Sequence, residues 1–184
     1  MPQCLAQFCS AALLAFSLAL GAGGAQAQSP AQPQPQAQGA AQQAALPPAA
    51  ANEAGVIAVP SAHGLAETVA RLKKDIAAKG VMFFAEIDQG ALAAKAGVSG
   101  VAPSVLLMFG NPPLGTQFLL ANQQTGLDWP VRMLVYQDKA SGKVMVAWTD
   151  FAWIAKRHGI ASQPAQFRMA AEVAASIASA AMAP

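Results

Sequence analysis

In the stretch GLAETVARLKKDIAAKG, apolar Leu65, Val69, Leu72 and Ile76 recur at spacings of four, three and four, with Glu67, Arg71, Lys74 and Asp75 between them. That period puts the apolar set on one face of a helix and turns the charges to water. Gly80 is placed to end the helix. Glu67 with Arg71, and Arg71 with Asp75, stand at the i,i+4 spacing of a solvated face. Before it, Val56 to Val59 is a β-rich run halted by Pro60, which reads as a first strand. After it, VMFFAEI (Val81 to Ile87) reads as a second strand. Strict alternation would place Val81, Phe83, Ala85 and Ile87 on one side, and Met82, Phe84 and Glu86 on the other.

Asp88 then occupies the N-cap position of a short helix, GALAAKA, which Gly97 ends. Ser104 to Phe109 is apolar almost throughout, as in a strand covered on both faces, and GNPP turns it into a second short helix, about LGTQFLLAN. Val131 to Tyr136 and Val144 to Trp148 form a hairpin around the polar loop Gln137 to Lys143. Asp150 caps a third short helix, FAWIAKRH, closed by Gly159. Ser162 is placed to cap a long Ala-rich helix starting near Pro164, with a narrow stripe of Phe167, Ala170, Val173 or Ala174, Ile177 and Ala181. The order is β-α-β-(α)-β-(α)-β-β-(α)-α. It predicts an α+β domain: a mainly antiparallel sheet covered by two longer helices, a β-α-β4-α core with short extra helices.

Charge divides the chain before this domain begins. No Asp, Glu, Lys or Arg precedes Glu53, and the remaining charges lie between Glu67 and Glu172. Within the uncharged leader, AALLAFSLAL is followed by small residues ending Ala25-Gln26-Ala27, the order of an h-region and a cleavage site. Residues 1–27 are therefore read as a secretory signal peptide and the mature protein as periplasmic or secreted. The apolar run is shorter than the ~20 residues that span a bilayer, so no stable membrane span is expected after cleavage. Cys4 and Cys9 both fall in the leader, which leaves the mature chain without a disulfide, a thiolate nucleophile or a Cys-based metal site. Residues 28–54 consist largely of Ala, Gln and Pro and are read as a disordered linker; residues 55–184 are the single domain. A net charge of +2 without a Lys/Arg block gives no sign of a nucleic-acid partner.

Candidate chemistry is sparse. Gly110-x-x-x-x-Gly115-Thr116 has the outline of a phosphate loop, but the Lys is missing and two of its backbone positions are proline, which offers no N–H. Asn111 is the natural N-cap there. Pro112 at the first helical position would commit the Leu114 amide to that cap; Pro113 there would leave the Leu114 and Gly115 amides for a weak anion site. His63 and His158 show no metal spacing, and neither a metal nor a cofactor is expected. His158, near the end of a helix in Lys156-Arg157-His158-Gly159, suits the helix dipole, and His63 a plain loop. Glu86, Asp88, Asp150 and His158 are the candidate acids and bases, though Asp88 and Asp150 are equally helix caps. No G-x-S-x-G occurs, and the residues give no support for an enzyme. Trp129, Tyr136, Trp148, Phe151 and Trp153 cluster in the chain, as core packing or as a stacking edge.

Several ordered pieces of the domain resemble the domain-of-unknown-function 302 family. They are Ala85-Glu86-Ile87-Asp88 with the following Ala-rich turn, Leu107-Met108-Phe109-Gly110-Asn111-Pro112, Asp128-Trp129-Pro130 before Val131-Arg132-Met133-Leu134-Val135-Tyr136, and Ile154-Ala155-Lys156-Arg157-His158-Gly159. At one corner the chain has Trp148-Thr149-Asp150-Phe151 where that family often shows Tyr-Asn-Asp-Pro. The resemblance implies a compact fold of the TATA-binding-protein type, without implying DNA binding, and a possible homodimer. The functional expectation is an exported ligand-binding or protein-interaction module, its unknown small ligand or protein partner meeting Asp88, Phe109, Gly110, Asn111, Trp148 and Asp150. The alternative is a small hydrolase or isomerase with Asp88 or His158 as acid/base and Asn111 as donor.

Overall fold

In the computed structural model, residues 49–183 are described; the signal peptide read at 1–27 and the linker residues 28–48 lie outside them. Five strands, β1 (Val56–Pro60), β2 (Met82–Asp88), β3 (Ser104–Gly110), β4 (Val131–Gln137) and β5 (Val144–Thr149), form one sheet in the order β1-β5-β4-β3-β2. Every neighbouring pair is antiparallel. Two long helices, α1 (Leu65–Ala78) and α5 (Pro164–Ser179), supply the helical side of the core. Three short ones, α2 (Gln89–Lys95), α3 (Pro112–Ala121) and α4 (Phe151–Arg157), sit at strand ends, and a 3-10 turn, Gln123–Leu127, follows α3.

The helix periodicity of α1 holds: Val69, Leu72 and Ile76 are buried. They join Phe167, Ala170, Ala174 and Ile177 of α5 and the inward residues of the sheet, Val105, Leu107, Phe109, Met133, Val135 and Val146, in one core. Gly80, at φ +64, ends α1. On the solvated face Arg71 pairs with Glu67, while Asp75 pairs with Lys79 rather than with Arg71. The residues after α5 are held by the loop before α1. His63 Nε2 lies 2.7 Å from the Ala183 carbonyl, which also accepts from Arg71, and the Ser61 hydroxyl donates to the Ala181 carbonyl. Thr68, fully buried, places its hydroxyl between Ser61 and the Gly64 carbonyl, so the one polar group inside α1 is satisfied.

Three local expectations need correction. In β2 the alternation breaks between Phe83 and Ala85: Phe83 faces Phe109 and Ala85 faces Met108, leaving Phe84 as the extra residue of a bulge. Phe83 and Glu86 consequently share a side, and Ala85 and Ile87 the other. In β3, Val105, Leu107 and Phe109 are buried while Leu106 and Met108 are only half-buried, so one face is covered fully rather than both. The cap position of α5 is Gln163, not Ser162, and it gives no side-chain cap bond; Pro164 starts the helix, and its missing N–H reduces the need for one. The β4–β5 loop folds as expected around Asp138, which accepts from the Ser141 hydroxyl and amide. Those bonds, the hydroxyl's first, hold its carboxyl below the usual range.

Candidate functional site

The GNPP corner closes as a cap. Asn111, extended at ψ 106, accepts from the Leu114 amide at 3.2 Å, Pro112 takes the first helical position, and the Gly115 amide bonds the Asn111 carbonyl at 2.8 Å. Both amides that an anion would need are therefore taken. The two glycines have another use. A Cβ on Gly115 would stand 2.0 Å from Trp129 Nε1, and one on Gly110 would stand 3.0 Å from it. The spacing that resembled a phosphate loop is a seat for an indole, which the Phe84 ring meets edge-on at 6.1 Å. Asn111→Ala should therefore cost about 1 kcal/mol, the usual value of a lost cap, read as a shift in the urea midpoint.

Beside this corner lies a cavity of about 480 Å³ among the ends of α1 and β3, the first half of α3 and the middle of α5. Its walls are apolar: Phe109, Leu114, Phe118, Trp129, Val131, Phe151 and, from α5, Met169, Ala170, Val173 and Ala174. Phe118 stacks on Phe167 at 4.3 Å and leans on Phe151, which fixes one wall from behind. Polar groups are few: Asn111, Lys79, Glu172 and Ser176.

Of the six residues expected to bind a ligand, Phe109, Gly110 and Asn111 line this cavity. Trp148 is buried in the core, and Asp150 is spent on the amides of Ala152 and Trp153 as the cap of α4. Asp88 lies elsewhere. It faces Val105 at the far end of the β2–β3 ladder, six residues from Asn111 along the chain of β3, a separation of roughly 20 Å; it caps α2 by accepting from the Ala91 amide. The His158 carbonyl bonds Asn122 at the opposite end of α3 from Asn111, roughly 15 Å along that helix. Asp88 is thus not brought to Asn111, and the backbone of His158 meets the other end of α3. Glu86, another candidate, pairs with Lys73.

A second cluster was missed. Asp128, its side chain 3% exposed, has His158 Nε2 at 2.6 Å on one carboxylate oxygen, Arg132 at 3.2 Å on the other, and Arg157 on both. His158, its side chain 4% exposed, therefore answers a carboxylate thirty residues away rather than the dipole of α4 alone. No local pattern announces this pairing; the only sequence signal was the presence of both Asp128-Trp129-Pro130 and Arg157-His158-Gly159 among the family-like pieces. The cluster ties the start of β4 to the end of α4. Among the described residues no group of three or more His, Cys, Asp or Glu could hold a metal ion, and no helix is long and apolar enough to cross a membrane.

The sequence profile described as "Domain of unknown function DUF302" matches residues 57–183. A crystal structure of an uncharacterized conserved DUF302 protein from Bacillus stearothermophilus superimposes with a TM-score of 0.63 at 17% identity, covering 69% of this chain and 98% of that one; at that identity the likeness shows the fold alone. Two curated relatives, the fluoride-specific ion channel FluC 1 of Brucella suis and that of Brucella abortus, are 39% identical over 114 residues, 62% of this chain. The matched part is 44% and 42% of their own lengths, so the chain spans less than half of either.

Proposed function

The chain belongs to the DUF302 family, whose description carries no activity, and on that premise we propose that its domain is a binding module holding a small, largely apolar ligand in the cavity between α3 and α5. The observation that carries this reading is the cavity itself. About 480 Å³ with aromatic and aliphatic walls and a few polar groups is the size and lining of a small-molecule site. We place the mature protein in the periplasm or outside the cell, on the strength of the apolar run and small-residue site in residues 1–27. The hydrolase or isomerase alternative has less support, since Asp88 lies at the far end of the β2–β3 ladder from Asn111 and the His158 imidazole is held by the buried Asp128 carboxylate.

A second reading, a protein-interaction module, is favoured by the relatives. Their names describe a fluoride-specific channel, while more than half of each lies outside the matched segment. A channel must place helices or a closed barrel across the bilayer. We therefore propose for the shared segment a role attached to such a protein rather than the conducting role.

The test is cavity filling. Val173 lines the cavity from α5 and is half-buried, so Val173→Phe should occupy the space while the fold persists. A thermal-shift screen of amphipathic aromatic and aliphatic compounds should stabilise the wild-type chain and leave Val173→Phe unmoved. Equal shifts in both proteins, or none in either, would overturn the reading.

A further inference from the structure

The charged groups at the mouth of the cavity are not equivalent. Lys79 is paired with Asp75 on its own helix, so its charge is already answered. Glu172, exposed on α5, forms no ion pair or hydrogen bond among the described residues; Arg168, one turn earlier, is not within pairing distance of it. The remaining polar group at that end, the Ser176 hydroxyl, can accept as well as donate. Behind this mouth stand the rings of Phe109, Phe118, Trp129 and Phe151, whose π faces carry partial negative charge.

We propose that the cavity selects a ligand with an apolar or aromatic body and a cationic head, the head lying against Glu172. This deepens the binding reading given above and rests on it. An ammonium gains at an unanswered carboxylate, while its apolar body lies among the rings behind it. A carboxylate head would meet Glu172 as a like charge and would have to compete with Asp75 for Lys79. A neutral head would leave Glu172 to water, with neither gain nor loss.

Isothermal titration of the full chain with three probes of one shape separates these cases: 4-phenylbutylamine, 4-phenylbutanol and 4-phenylbutyrate. The amine should bind about three- to fivefold more tightly than the alcohol, the yield of a charge pair at a partly exposed rim, and the butyrate more weakly than either. Glu172→Gln, a change at an exposed position, should bring the amine to the alcohol's affinity. Val173→Phe should abolish all three. Tightest binding by the butyrate, equal binding of all three, or an amine preference that survives Glu172→Gln would overturn the choice of head group while leaving the cavity a binding site. Failure of all three probes would instead overturn the cavity reading on which this proposal rests.

Discussion

Replacing Asp128 with alanine should lower the stability of the domain by about 3 kcal/mol, measured as a fall in the urea midpoint at unchanged slope. Breaking a buried ion pair by removing one partner typically costs about 3–5 kcal/mol, because the other charge or donor is left buried without an answer. Here the low end of that range applies. Arg132 and Arg157 keep 45% and 42% of their side chains exposed and can return to water, whereas the His158 ring, at 4%, cannot. The same magnitudes rank the partners. Arg132→Gln should cost less than about 1 kcal/mol, as an exposed charge contributes little. His158→Ala should cost more, since it empties a buried site and leaves one Asp128 oxygen with Arg157 alone. If Asp128→Ala unfolds within about 1 kcal/mol of the unaltered chain, the cluster does not hold α4 to β4 and this account of it fails.

The second large effect belongs to Gly115. Its replacement by alanine should destabilise by up to about 2 kcal/mol: overpacking costs about 1–3, offset by the roughly 1 kcal/mol that alanine gains over glycine in a helix. The clash is with the indole five-membered ring, at 2.0 Å from Nε1 and 2.1 Å from Cε2, and not with the flexible tip of a long side chain. The ring must therefore swing, losing its edge contact with Phe84 and reshaping one wall of the cavity. Gly110→Ala, whose Cβ would stand 3.0 Å away, should be milder. Combining Gly115→Ala with Trp129→Leu should cost less than the sum of the two changes, because the second removes what the first strikes. Full additivity in that cycle would show that the two residues do not meet.

Much of the fold was legible because its causes are local. Leu72 and Ile76 declare a helix face by spacing, and Asp88, Asn111 and Asp150 declare helix starts through amides two or three residues ahead. What was not legible depends on residues meeting from afar. Asp128 finds Arg157 and His158 across some thirty positions of chain, and nothing near Asp128 marks it as buried. Gly115 looked like part of an anion loop because its neighbour is an indole fourteen residues on. Phe84 breaks the alternation of β2 only through its pairing with β3, and Asp88 and Asn111 look like one site in sequence until the antiparallel register sends them to opposite ends of the ladder. The three pocket residues expected to bind a ligand, Phe109, Gly110 and Asn111, adjoin one another in the chain; α5, which closes the cavity over them, contributes mainly apolar residues whose spacing signals packing.

The bulge at Phe84 also bears on what the sheet refuses to do. β2 and β1 are its two margins, each offering a row of backbone groups onto which a stray strand could dock and extend the sheet into an aggregate. On one margin the extra residue throws the row out of step, and Lys73, paired with Glu86 and lying over the Phe83 ring at 5.4 Å, sets charge beside it. On the other, Pro60 removes a donor from the row. A chain that is 54% hydrophobic, with Met82, Phe83 and Phe84 all in view of solvent, thus carries its own brakes against growing end to end in concentrated solution.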